Sequence, residues 1–165
     1  MNEFARRGKA FLECRMKNYR YTESGLDNVI IRGMNFLIDD AGEQIVTIRN
    51  VAGLHRAIAT AIVQKTVSMT GKELRFLRGE MGMTQAELAV VVHREPLAIS
   101  RWERGEVSDI DMNAETLIRL LARETLHLPI SAEVKEMSSW AVPSAATPAL
   151  EIDGSNPEEY HPVAA

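Results

Sequence analysis

Between Thr70 and Gly105 the chain carries the same helix-start signal twice, and that repetition narrows what the stretch can become. Thr70 is followed three residues later by Glu73, and Thr84 by Glu87. This Thr-x-x-Glu pattern is a capping box, in which hydroxyl and carboxylate satisfy amide donors that a helix start leaves free. After the first box, Leu74, Leu77 and Met81 recur at three- and four-residue spacing, one apolar face of a 3.6-residue period. Gly82 then suits the left-handed position that ends a helix. After the second box, Leu88, Ala89 and Val92 supply a buried side. His93-Arg94-Glu95 forms a turn, and Pro96 opens a third helix where its missing N–H costs nothing. Ile99 and Trp102 point that helix inward and leave Leu97, Ser100, Arg101 and Arg104 facing out.

Two capped helices joined by a three-residue turn make a helix-turn-helix unit. The blocks TQAELAVVV and AISRWERGE, at this separation, resemble the Cro/phage-repressor (XRE-type) transcriptional regulators over roughly residues 71–121. The resemblance implies a homodimer that binds double-stranded DNA at an inverted repeat. It implies that Gln85 anchors a phosphate, that Glu95, Pro96, Leu97 and Arg101 lie where base edges are read, and that Arg104 meets the backbone. It also implies a buried pair between Arg78 and Glu103. Where the family usually has glycine and an aliphatic residue in the turn, this chain has His93 and Arg94. His93 is therefore expected in the left-handed region.

The residue types on the outward face fit that chemistry. Arginine pairs bidentately with guanine O6 and N7, which suits Arg101. Leu97 either touches a thymine methyl or packs on a second subunit, and Glu95 accepts from cytosine N4, repels wrong phosphates or caps its helix. Arg94 and Arg104 read as phosphate clamps, Ser100 as a polar neighbour, and Trp102 as core.

With 165 residues the chain has room for one moderate domain or two small ones. A single cysteine, Cys14, excludes a disulfide framework and a four-cysteine zinc site within the chain. The four histidines stand singly, with no ligand spacing, and no nucleophile motif or glycine-rich phosphate loop is present. Neither an enzyme nor a cofactor is expected. No apolar run approaches the ~18–20 residues that span a bilayer and no signal-peptide core is seen, so a cytoplasmic protein is expected. The net charge of −4 is unevenly spread. Residues 1–20 hold six basic and two acidic groups, residues 70–130 eight and ten, and residues 131–165 one and six. Because phosphate attraction is screened within ~8–10 Å, local charge matters more than the total. The helix-turn-helix is not a basic patch, and modest non-specific affinity follows.

The rest of the chain divides by composition. The basic segment 1–20, with Phe4, Phe11, Leu12 and Met16 at near-helical spacing, suits an amphipathic helix, a DNA-touching arm or a frayed terminus. In 21–65, Val29-Ile30-Ile31 between Gly25 and Gly33 reads as a strand. A hairpin around Asp39-Asp40-Ala41-Gly42 follows, then a helix capped by Asn50 with Val51, Leu54, Ile58 and Ile62 on one face. YTESGLDNV, VAGLHRAIA and GKELRFLR together resemble the layout upstream of the helix-turn-helix in MqsA-type antitoxins and related regulators. Those relatives often carry a zinc module here, but this chain lacks its paired cysteines, so zinc is not carried over. The resemblance adds a toxin as a possible protein partner and assigns the unit to dimerisation, partner binding or ligand sensing. Residues 70–130 form the DNA-binding domain, with a packing helix from about Met112 to Thr125, capped by Asn113 and striped by Leu117, Leu120 and Leu121. Residues 138–165, rich in Ser, Ala, Pro and acidic groups, read as a disordered tail. The expected fold is α+β: a small β-sheet-plus-helix N-terminal unit, then an all-α lambda-repressor-like helix-turn-helix domain.

Overall fold

The computed structural model describes residues 14–164. The fold is α+β, with a mixed sheet and six helices among the described residues. Strand β2 (Val29–Ile38) is its axis. Strand β1 (Cys14–Arg20) runs antiparallel along one side of it. On the other side, β3 (Gln44–Val46) pairs antiparallel with the far end of β2, and β4 (Leu150–Asp153) pairs parallel with its near end. Strand β5 (His161–Pro162) closes against β4.

The helices are α1 (Val51–Gln64), α2 (Gly71–Glu80), α3 (Gln85–Val91), α4 (Pro96–Glu103), α5 (Met112–Thr125) and α6 (Val134–Trp140). Helix α1 joins the two halves of the fold. It packs on β4 and β5 and also on α2 and α5. Leu54, Ile58, Ile62 and Val63 of α1 are fully buried in one cluster with Val29 and Ile31 of the sheet and with Leu74, Leu77, Ile99 and Ile118 of the other helices.

Several local expectations hold because the side chains that encode them are present. Both capping boxes are formed reciprocally, at Thr70/Glu73 and at Thr84/Glu87. Asn50 accepts a hydrogen bond from Gly53 N (2.9 Å) at the start of α1. Gly82 (φ 68°) and His93 (φ 53°) lie in the left-handed region. His93 is the pivot of a helix-ending motif in which Arg94 N donates to Ala89 O at 2.9 Å and His93 N to Val90 O at 3.3 Å. A side chain with a Cβ costs roughly 1 kcal/mol there relative to glycine. His93→Gly is therefore expected to raise stability by about 0.5–1 kcal/mol, read as a higher urea midpoint at unchanged slope.

Other expectations need correction. The stretch 138–165 is not a disordered tail among its described residues. It begins in α6, and Leu150, Ile152 and Tyr160 are buried. The alternation Leu150-Glu151-Ile152-Asp153 puts both aliphatic side chains on the face that Val29 and Ile31 share, through the pairs Val29↔Leu150 and Ile31↔Ile152. The sheet thus draws on both ends of the chain, and residues 21–65 do not enclose it. Within the basic segment 1–20, Cys14–Arg20 is a strand, while Phe4, Phe11 and Leu12 lie outside the described residues. Gly33 does not end a strand. At φ 75° it sits within β2, opposite the stretch of β1 where the pairing register shifts. Asp111, not Asn113, caps α5, accepting from Ala114 N at 2.9 Å. Leu117 is exposed, Leu120 and Leu121 pack part-buried against the core as expected, and the buried residues of α5 are Ala114, Thr116, Ile118 and Ala122 together with Glu115 and Arg119.

That last pair organises the link between α1 and α2. Glu115 and Arg119, one turn apart, both have fully buried side chains and pair at 2.7 Å. The Arg119 guanidinium also donates to the carbonyls of Val63 (2.7 Å), Lys65 (2.8 Å) and Val67 (2.8 Å). Glu115 accepts from Met69 N at 3.0 Å and from the Ser68 hydroxyl. The end of α1 and the 65–69 link, which lack helical partners of their own, are satisfied by one residue pair. A second buried carboxylate, Glu73, takes Lys65 (2.5 Å) and Asn28 (3.0 Å), tying the sheet to the first turn of α2.

Candidate nucleic-acid interface

Helices α3 and α4 are short, and their mutual placement is set by polar contacts as much as by packing. Leu88, Ala89, Val92, Ile99 and Trp102 are buried between them and the rest of the core. Gly71, at the first position of α2, meets α4 so closely that a Cβ there would lie 2.0 Å from the Trp102 carbonyl oxygen. Arg78 of α2 forks onto Glu103 at the end of α4, with Nε to Oε1 at 2.5 Å and Nη2 to Oε2 at 3.0 Å. Its third donor reaches the Met83 carbonyl at 2.8 Å, just ahead of α3. Gln85, the first residue of α3, donates to the same Glu103 carboxylate at 2.8 Å. Three helices therefore converge on one nearly buried carboxylate, and hydrogen bonding to Glu103, with its charge adding to the effect, raises the Arg78 pKa above its ordinary value. Bidentate geometry of this kind fixes angles as well as distance, so the orientation of α4 is defined.

The outward side of α4 carries Leu97, Ser100, Arg101 and Arg104, spaced to lie along one stripe opposite Ile99 and Trp102. Leu97 is 55% exposed. Ser100 is half-buried, and Arg101 is exposed. Arg104 pairs with Glu106, Nε to Oε1 at 2.7 Å, and also donates to the Ser100 hydroxyl. Leu97, Arg101 and Arg104 face out as expected, and Ser100 lies half-buried on the same stripe.

The other three expected residues are placed differently. Gln85 is held by Glu103, with its amide nitrogen already engaged. Arg94 reaches toward the start of α5, where it pairs with Asp111 at 3.2 Å. The Asp111 carboxyl is drawn below its ordinary pKa chiefly by the Ala114 amide it caps, with the Arg94 charge adding to the effect. Glu95 is the residue before Pro96, with an extended backbone (ψ 145°), and its side chain makes no capping hydrogen bond. Of the roles expected of Glu95, capping is therefore excluded.

Sequence reasoning missed the acidic partners, Glu106 and Asp111. A signal for Glu106 was present in Arg104-Gly105-Glu106. A glycine just past a helix end turns the next residue back over the last turn, within reach of the residue before it. The other polar cluster, where the Tyr21 hydroxyl meets His55 Nε2 (3.0 Å) and His55 Nδ1 meets Glu80 (2.9 Å), joins the sheet, α1 and α2. Among the described residues no group of three or more His, Cys, Asp or Glu is disposed to hold a metal ion, and no helix is long and apolar enough to cross a membrane. No protein-family model, curated protein or solved structure matches the chain.

Proposed function

We propose that this chain is a sequence-specific DNA-binding transcriptional regulator, a cytoplasmic homodimeric autorepressor that reads the major groove with α4. In this reading α2 to α5 make a lambda-repressor-like domain, with α3 and α4 as its helix-turn-helix. The observation that carries it is the exposed Leu97/Arg101/Arg104 stripe, with half-buried Ser100 among them, on a helix whose orientation is fixed by the Arg78–Glu103–Gln85 network. A helix of about 10–12 Å diameter fits a major groove about 12 Å wide, and a fixed helix presents its side chains to base edges in one register. Arg101 has the reach and charge for guanine, Leu97 the apolar surface for a thymine methyl, and Gln85, Arg94 and Arg104 flank them as backbone contacts. A dimer of such units would span half-sites about 34 Å apart.

Arg101→Ala is expected to weaken binding to the protein's own site by roughly 1–3 kcal/mol while leaving binding to unrelated DNA nearly unchanged. Footprinting on DNA upstream of the protein's own gene, with wild type and Arg101→Ala across a salt series, checks this. A protected inverted repeat lost in the variant supports base reading. Equal weakening on every sequence would make Arg101 a backbone contact.

A second reading is favoured by one feature of the sheet. Leu37 and Ile45 sit directly opposite each other on β2 and β3, and both are exposed. An exposed apolar cross-strand pair on the β2–β3 hairpin suits a protein partner, as in an antitoxin that neutralises a toxin and represses its own operon. Co-expression with the product of the adjacent gene tests it: growth must be rescued by the wild type and not by Leu37→Asp.

A further inference from the structure

Helix α4 ends in a turn that places an acid on its own DNA-facing stripe. Gly105 takes φ 69°, Gly105 N donates to Trp102 O at 3.0 Å, and Glu106 N donates to Arg101 O at 3.0 Å. These two bonds are the helix-ending pair that folds the chain back over the last turn. The Glu106 carboxylate thereby faces Arg104 with two parallel contacts, Nε to Oε1 at 2.7 Å and Nη2 to Oε2 at 3.2 Å. The remaining edge of the guanidinium is taken up by the Ser100 hydroxyl. Hydrogen bonding to Arg104, with the nearby charge of Arg101 adding to it, holds the Glu106 carboxyl below the usual carboxylate range.

An arginine that forks onto a carboxylate, with a hydroxyl alongside, has the donor set that binds a phosphate oxygen pair in its place. We propose that Ser100 and Arg104 form a phosphodiester subsite for duplex DNA, and that Glu106 occupies this subsite in the free protein. The inference rests on the DNA-reading function above and adds a regulatory element to it. Phosphate and Glu106 compete for one guanidinium, so every DNA contact through Arg104 must first displace the acid. The cost falls on all sequences alike. Only a site that also engages Arg101 and Leu97 in base contacts recovers it, so Glu106 suppresses non-specific binding more than it weakens the operator complex. The competing acid also accounts for a DNA-facing helix lying in a region with more acidic than basic groups.

Substituting Glu106→Gln keeps the side-chain length and the backbone turn while removing the competing charge. On random-sequence duplex DNA at about 0.1 M salt, the variant is expected to bind roughly three- to tenfold tighter than wild type, with a log–log salt slope steeper by about one. Glu136→Gln, on α6 away from α4, makes the same change in net charge and serves as control. The gain must also vanish in the Arg104→Ala background, where no guanidinium is left to release. Two results overturn the competition: equal gains for Glu106→Gln and Glu136→Gln, or a Glu106→Gln gain that persists without Arg104. If neither wild type nor any variant binds duplex DNA at low salt, the DNA-reading function fails and the subsite with it. Binding by Glu106→Gln alone supports both.

Discussion

Removing residues 149–165 is expected to abolish cooperative folding, although the segment reads as a polar tail. Leu150, Ile152 and Tyr160 are at most 6% exposed, and Leu150 and Ile152 lie directly beside Val29 and Ile31, which have no exposure at all. Full burial of an aliphatic or aromatic side chain contributes roughly 1.5–3 kcal/mol. Three such side chains amount to roughly 5–9 kcal/mol, an upper figure because the unfolded chain already buries part of its surface. Domains of this size are stable by only about 5–15 kcal/mol. The truncation also strips a parallel partner from one side of β2 over Val29 to Arg32, leaving backbone groups unpaired beside the core. Thermal unfolding followed by far-ultraviolet circular dichroism checks this. The truncated chain should lose its sharp transition, whereas a midpoint matching the full chain would show that β4 and β5 contribute nothing.

Arg119→Met should cost about 3–5 kcal/mol, the usual result of leaving one partner of a buried ion pair uncompensated. Methionine fills similar space, so the cost comes from charge and hydrogen bonding and not from a cavity. Glu115 would remain buried as a carboxylate, and the carbonyls of Val63, Lys65 and Val67 would lose their donor. Urea denaturation measures the loss. Adding Glu115→Gln should return part of it, because the amide oxygen would still accept from Met69 N without a stranded charge. Strict additivity of the two changes would mean that the pair does not act as a unit.

What the sequence revealed, and what it hid, has a physical pattern. Features written in adjacent residues were legible: the two capping boxes, the left-handed His93, the Pro96 start of α4, and the split of α4 into buried Ile99 and Trp102 and exposed Leu97, Arg101 and Arg104. Each depends on contacts within a few residues. Features that depend on distant pairing were not. Leu150 to Asp153 is a short half-buried alternation inside an acidic, proline-containing stretch, and its ordering comes from β2, more than a hundred residues earlier in the chain. Arg119 looks like an ordinary helix-surface arginine until α1 ends beside it. Its carbonyl partners are some 50 residues away, and Leu117, assigned to the stripe in its place, is exposed. At the candidate interface the acids were the blind spot. Glu106 and Asp111 were counted in the regional charge, but charge counting does not show that each sits on one of the arginines assigned to phosphate.

The central claim is that α4 reads DNA sequence, and a selection from a random duplex library tests it without assuming where the site lies. The purified full chain is mixed with the library at moderate salt, and bound DNA is amplified over successive rounds and sequenced. The account predicts enrichment of one motif, an inverted repeat with half-sites about one helical turn apart, and Arg101→Ala should lose preference at one position in each half-site. A library that stays random through every round, at low salt as well as moderate, would contradict the claim and leave the exposed stripe of α4 as a surface for protein.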